Sequence, residues 1–379
     1  MNIIQCSRCI MDTTDPEISF DKNGYCNHCT NFFMKQKFEM FPYIQDKRKL
    51  SILLEKIRYA GKNKKYDCVI GLSGGVDSSY LAYKSKGWGL RPLFIHVDAG
   101  WNSKTSEENI RRIVEYCGFD LYIYTVDWKE MRDLQNSYLR AAIANQDVPQ
   151  DHVFFAVLFK KCAEFGITYW LSGHNIATES ILPSAWGYNA MDSSQLLAIH
   201  KKYGTVPLKS YLYLTPAEYL MYYRGIQDKY KIECVYPLNF IDYNVINAKM
   251  IMQSSFKWTD YGKKHYESCF TKFFQAYYLP TKFGYDKRKA HLSSLIVSGI
   301  ISRDEALSEM KNKLYTEEEL IKDKYFILDK LGLSDKEFDD IMSLPNKHYS
   351  DYPNNEAMFK RAEHLHFIEK HAKMISEIR

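Results

Sequence analysis

The stretch VIGLSGGVDSSYLA, Val69 to Ala82, sets a short apolar run against a glycine pair and then a row of hydroxyl and acidic residues. The apolar run reads as a strand buried on both faces. Gly74 and Gly75 let the backbone turn tightly and bring bare N–H groups against an anion, while Ser73, Ser78 and Ser79 add hydroxyl donors. A helix beginning near Val76 aims its positive end at the same point, so a triphosphate or pyrophosphate would be well held there. Asp77 is the natural Mg²⁺ ligand of such a loop, with helix capping as its other reading.

Outward from the loop, the pattern alternates strands and helices. LFIHVDAG, LYIYTVDW and TYWLSGH are further short apolar runs, and TSEENIRRIVEYCG between two of them carries a capping box at Thr105 and Glu108 with Gly118 at its end. DHVFFAVLFKKCAEFG reads as a helix opening on Asp151 and closing on Gly166. Strand, helix and strand at this spacing predict an α/β fold with a doubly wound parallel sheet. Ligands of such sheets lie beyond the carboxyl ends of the strands. That places Gly71, Val97, Asp98 and Asp127, and the turn Ser172, Gly173, His174 and Asn175, at a nucleotide site, with turn or cap duty as the alternative.

A second motif precedes the sheet. CSRC at Cys6 and Cys9 and CNHC at Cys26 and Cys29 are two C-x-x-C pairs separated by 16 residues, the spacing of a zinc ribbon. Asp21, Asn23 and Gly24 supply turn chemistry before the second pair. Four thiolates leave no open coordination position, so the Zn²⁺ is expected to be structural; a redox pair or an iron–sulfur cluster are the other readings. The remaining cysteines, Cys68, Cys117, Cys162, Cys234 and Cys269, stand singly and read as small core residues.

At 379 residues the chain has room for two or three domains. The expected division is 1–60 for the ribbon and a linker helix, 61–245 for the nucleotide domain, and 246–379 for a helical substrate-binding and C-terminal region. No apolar run long enough for a membrane span occurs, and the expected location is cytoplasmic. A net charge of +5 is small for this length and carries no basic tract, which weighs against nucleic acid as the partner.

SGGVDSS lacks the lysine of a Walker loop and resembles the PP-loop of the ATP pyrophosphatases, which cleave ATP between its α and β phosphates. That resemblance implies ATP and Mg²⁺, with AMP and pyrophosphate as products. The C-terminal half adds aromatic residues interleaved with Lys264, His265, Glu267, Lys282, Asp286, Lys287, Arg288 and His291, which suits a pocket for a charged, hydroxyl-rich ligand as well as a solvated basic surface.

The N-terminal C-x-x-C pairs, SGGVDSS, VDAGWNS, GHNIATES and GKKHYESCFTKFFQAYYLPTKFGYDKRKAHLSSLI together resemble the N-acetyl sugar amidotransferase family of WbpG/PseA type, from Cys6 to about Ala306. The resemblance implies conversion of an acetamido group on a sugar, often a nucleotide-linked one, to acetamidino through an adenylated imidate, for surface polysaccharides such as lipopolysaccharide O-antigen or pseudaminic and legionaminic type sugars. It also implies that Lys264, His265, Glu267, Ser268, Lys282, Lys287, Arg288 and His291 meet the sugar substrate. Lys160 or Lys161 is expected at the α-phosphate, with an exposed helix lysine as the other reading, and Glu179 at the metal or the ammonia. Residue two is Asn2 and no G-x-C-x-G elbow occurs, so ammonia is expected from a separate glutaminase partner of the histidine-biosynthesis type, or free. The rival readings are a PP-loop tRNA thiolase and a non-catalytic nucleotide-binding scaffold.

Overall fold

The structure is a computed structural model and describes residues 3–38, 47–224, 231–362 and 364–365. Parts of the expected linker and of the C-terminal tail lie outside the described residues.

The four expected strands form: β1 (Cys68–Gly71), β2 (Pro92–Asp98), β3 (Leu121–Thr125) and β4 (Tyr169–Leu171). A fifth, β5 (Glu233–Val235), joins them from a stretch that is too short and polar to stand out in sequence. All pairings are parallel, in the order β3-β2-β1-β4-β5. The chain winds outward from β1 through β2 to β3 and then crosses to β4 on the other side. The switch point is therefore the carboxyl end of β1 and β4, where a crevice must open. Both Ser73–Ser79 and Ser172–Asn175 leave the sheet there.

Each face of the sheet is covered by helices. Helices Val76–Gly87, Lys104–Cys117 and Val245–Phe256 close one side, packing Leu81, Ile113 and Met252 against Ile70 and Phe94. Helices Trp128–Ala141, Val148–Glu164 and Ser193–Tyr203 close the other around Val69, Ile95 and Val157. β1 and β2 are buried almost throughout because both faces are covered, which is why they read as unbroken apolar runs.

Two helix starts differ from the sequence expectation. Ser103, not Thr105, caps helix Lys104–Cys117, accepting a hydrogen bond from Ser106 N–H at 3.1 Å. The cause is distant: Ser103 N–H donates to Glu267 C=O at 2.8 Å, and Asn102 bridges Ser268, fixing Ser103 in extended backbone. The helix expected from Asp151 starts three residues earlier, at Val148 with Pro149 in its first turn.

The C-terminal helices form a third cluster, in which Phe270, Phe273 and Phe274 pack with Trp101 from the loop after β2. The cysteine knuckle forms a fourth, with Ile176, Trp186, Ala290 and Val297. Among the described residues no helix is long and apolar enough to cross a membrane.

Candidate functional site

The loop after β1 is built as its sequence demands. Gly74 takes φ +77°, where a side chain is strained, and a Cβ there would overlap the Ser106 backbone. Ser73 Oγ accepts from Gly75 N–H at 3.2 Å and lies 3.1 Å from Ser78 Oγ, so the two hydroxyls and the turn share one small bowl. A Cβ on Gly173 would come within 2.8 Å of the Asp77 carbonyl carbon, so glycine there lets the β4 turn lie directly on the loop. Asn109 and Trp258 each donate to Gly74 C=O, at 3.4 and 3.3 Å, and Tyr261 Oη accepts from Val76 N–H at 3.1 Å.

Asp77 is held from three sides. Tyr243 Oη donates to it, Asn175 Nδ2 donates at 3.2 Å, and the Lys264 ammonium stands 3.6 Å away. Burial raises its carboxyl above the usual range, with Lys264 opposing. Lys264 also pairs with Glu179 at 2.8 Å and donates to Thr178 Oγ1 at 3.1 Å, and Glu179 pairs with His174 as well. Burial penalises both charges of the Lys264–Glu179 pair, but their mutual attraction wins. The ammonium is held above its ordinary value and the carboxyl well below.

The segment after Lys264 turns sharply inward. His265 has φ +65°, a conformation costly for a residue with a side chain and of the kind that collects at functional sites. Burial, then Lys264, pushes its pKa down to about 3, so the imidazole is neutral; His291, its ring tilted against it with centroids 5.3 Å apart, is held well below its ordinary value by burial too. Glu267 follows, its Oε1 only 2.8 Å from where a Cβ on Gly75 would sit. Burial first, then Asp77 and Glu179, raises its carboxyl to about 7.

Three cavities meet along this wall. One of about 370 Å³ runs under the carboxyl ends of β1, β2 and β4, lined by Gly71, Val97, Phe155, Trp170 and Ser172. A second lies over the loop, between Ser73, Asp77, Ser78, His174, Glu179 and Lys264. A third, of about 290 Å³, opens beyond Asp77 and Lys264 among Lys249, Arg288 and His291. Ser73, His265 and Glu267 belong to the first and second, Asp77 and Lys264 to the second and third, and Lys287 to the first and third.

Most of the expected residues are thus brought together, and several are not. Lys161 pairs with Glu164 at 2.7 Å and lies over the Tyr122 ring, on an outer face of its helix rather than at the loop. Lys282 caps another helix end, donating to the carbonyls of Ile341, Met342 and Leu344. Asp98 accepts from Gly100 N–H at 2.8 Å and from Asn102 at 3.3 Å, and Asp127 caps helix Trp128–Ala141; both serve turns. Ser79 is buried below the loop with its Oγ unpartnered. Ser268 caps helix Cys269–Phe273 while still lining the first cavity. Arg288 grips Asp286 at 2.6 Å and borders the third cavity. Tyr243, Tyr261, Asp147 and Asp151 join the site without having been expected. None sits in a motif, and Tyr243 and Tyr261 reach the loop from more than 160 residues away.

The four N-terminal cysteines are buried and their sulfur atoms lie within 4.8 Å of one another, the donor set and spacing of a tetrathiolate metal site. Cys26 N–H and Arg8 N–H both point at Cys6 Sγ, as knuckle amides do around a thiolate. His28 is not part of the set; it binds Asp15 at 2.6 Å. The knuckle braces the site from behind. Ile10 N–H donates to Ser293 Oγ, Lys289 pairs with Asp12, and Arg303 donates to Cys9 C=O at 3.1 Å and Cys6 C=O at 3.3 Å. Helix Lys287–Val297, which presents Lys287, Arg288 and His291, rests on this platform.

Residues 267–366 match the family described as LPS biosynthesis protein WbpG-like, C-terminal domain. A tRNA(Ile)-lysidine synthase of Chlamydia pneumoniae is 34% identical over 83 residues, which take in 21% of this chain and 26% of that protein. The match thus spans about a quarter of that relative's length. The U34-tRNA thiolase NcsA of Methanococcus maripaludis, solved with its [4Fe-4S] cluster, is 17% identical over 82% of this chain and 89% of its own, with a TM-score of 0.33. The NH3-dependent NAD synthetase of Campylobacter jejuni, solved with nitrate ion, is 17% identical over 57% and 98%, with a TM-score of 0.30. Scores this low carry no argument; the fold rests on the strand order and the loop at its switch point. The chain is a parallel five-stranded α/β sheet with a glycine loop at its switch point, and its residues 267–366, part of which line the cavities at the sheet's carboxyl edge, are similar to the WbpG-like C-terminal domain.

Proposed function

We propose that the chain is an ATP-dependent amidotransferase that converts the acetamido group of an N-acetyl sugar, nucleotide-linked, into acetamidino for surface polysaccharide synthesis. The observation that carries this is the shared wall: Lys264, His265, Glu267 and Lys287, from a block continuous with the WbpG-like domain, line the nucleotide cavities and a separate basic cavity at once.

An amide resists ammonia because nitrogen donation quenches its carbonyl and oxide is a hopeless leaving group. The acetamido oxygen attacks the α-phosphorus of ATP, the bond to pyrophosphate breaks, and an O-adenylyl imidate forms as the amide N–H proton departs. Ammonia adds to the imidate carbon and AMP leaves. In this reading the bare N–H groups of the loop and Ser73 and Ser78 hold the departing pyrophosphate, and Lys264 offsets charge at the α-phosphate. Asp77 offers one hard oxygen to a Mg²⁺ whose remaining ligands would come from substrate phosphates and water. Zn²⁺ in the knuckle is structural. Ammonia arrives from a glutaminase partner or from solution.

The tRNA-thiolating alternative needs paired, reactive cysteines. Among the described residues the knuckle cysteines are the one metal-ligating group of three or more, while Cys68, Cys162 and Cys234, though near enough to act on one another, are held with Cys117 and Cys269 above the ordinary thiol value by burial. The test is exchange of labelled pyrophosphate into ATP, driven by UDP- and CMP-linked N-acetyl sugars or by bulk tRNA. Sugar-dependent exchange, with mass spectrometry showing one oxygen replaced by NH when ammonium is added, is expected. Exchange driven by tRNA alone overturns the proposal.

A further inference from the structure

The reaction above moves a proton twice: the acetamido nitrogen must lose one as its oxygen attacks phosphorus, and the imidate nitrogen must regain one before ammonia can add. Neither the loop nor Lys264, held as an ammonium, can accept it. Ser73, His265 and Glu267 line both the first cavity and the loop cavity, so a nucleotide spanning the two would set its α-phosphate beside them.

The carboxylates around that junction are not equivalent. Asp77 is engaged by Tyr243, Asn175 and Lys264, and Glu179 by Lys264 and His174. Glu267 has no ion pair among the described residues, and its buried Oε2 has no hydrogen-bond partner. It is carried on the strand-like bridge to the loop after β2, with its C=O fixed by Ser103 N–H at 2.8 Å and Ser268 paired to Asn102. The carboxylate thus sets Oε1 over Gly75 and buries Oε2 without a partner, and a buried lone oxygen is costly unless something binds it.

We propose that Glu267 is the general base and acid of the transfer, taking the acetamido N–H proton during adenylation and returning it to the imidate nitrogen as ammonia adds. The inference rests on the amidotransferase reading. The groups facing Glu267 suit the role. Asp77 from the loop helix and Glu179 from the β4 turn favour its protonated form, and Lys264 beside it favours the ionised one. Burial adds to the former, leaving the carboxyl near neutrality. The rival, His265, has been pushed too low to hold a proton at working pH, and Tyr261 too high to release one.

The full chain is assayed for sugar-dependent ATP–pyrophosphate exchange with a panel of UDP- and CMP-linked N-acetyl sugars and free N-acetylglucosamine. E267Q and E267A are expected to keep wild-type melting and ATP binding while kcat falls about 10²- to 10⁴-fold at an unchanged KM for ATP. E267D retains intermediate activity, and formate restores exchange to E267A but not to wild type, a rescue that a merely structural side chain would not give. No sugar-dependent exchange by wild type overturns the amidotransferase reading and the inference with it. Exchange by wild type alongside E267Q within threefold of it, or an E267A that formate fails to rescue, overturns the inference alone.

Discussion

Single residues in this site do their work through geometry that one substitution can erase. Gly74 is the plainest case, since φ +77° and the Ser106 backbone both exclude a side chain. Gly74→Ala is expected to abolish ATP binding in titration calorimetry while the melting temperature changes little, because the loop rather than the core is disturbed. Lys264 faces two carboxylates and, in the proposed reaction, the α-phosphate. Lys264→Met should lower AMP formation by about 10²- to 10³-fold, the scale of losing one preorganised charge in a dry site. Lys161→Ala should stay within about twofold, since that lysine answers Glu164 and Tyr122. Gly74, Ser73 and Ser78 were legible because they act within the loop, whereas Ser79 turns below it. Lys161, Lys282 and Asp98 were misplaced because charge and position in a motif do not reveal which way a side chain faces once helices pack.

Elements carry a different kind of information. The four strands with clear apolar runs were readable, as was Gly118 closing its helix with φ +71°. The cap at Ser103 was not, because it depends on a hydrogen bond to Glu267, 164 residues away. Helix Val148–Glu164 holds a further hidden device in His152. This buried imidazole lies 2.7 Å from Ala190 C=O through Nδ1 and accepts Leu214 N–H at 3.1 Å through Nε2. The pattern requires a proton on Nδ1 and none on Nε2, and burial pushes the pKa down to about 4. The unfolded chain therefore binds the extra proton first. Stability from this group is complete above about pH 6.5 and is lost as pH falls toward 4. Urea unfolding across that window should show stability falling with acid, and His152→Gln should flatten the slope at some cost at neutral pH. A slope unchanged by the substitution would place the acid sensitivity elsewhere.

At the scale of the whole molecule, residues from both ends of the chain meet around the sheet's carboxyl edge. The knuckle was legible from cysteine spacing, but its use was not: its cluster packs on helices Ile176–Glu179 and Lys287–Val297, one carrying Glu179 and the other Lys287. Cys26→Ser, or removal of metal by a chelator, should accelerate amide hydrogen exchange over 287–297 and 176–179 and depress turnover. Amides of β1 and β2 should keep their protection. Exchange rising evenly through the sheet would mean that the knuckle supports the entire fold rather than one wall of the site.

The contact between Arg303 and the Cys6 and Cys9 carbonyls also has a meaning in time. A ribosome releases the four cysteines first, then all five strands by Val235, and only afterwards Lys264, Glu267 and the helix that settles on the knuckle. The phosphate bowl is thus synthesised long before the wall that would set an acceptor against it. On the proposed reaction, chains halted before about residue 260 should bind metal yet leave ATP intact, because Lys264 and Glu267 have still to be made.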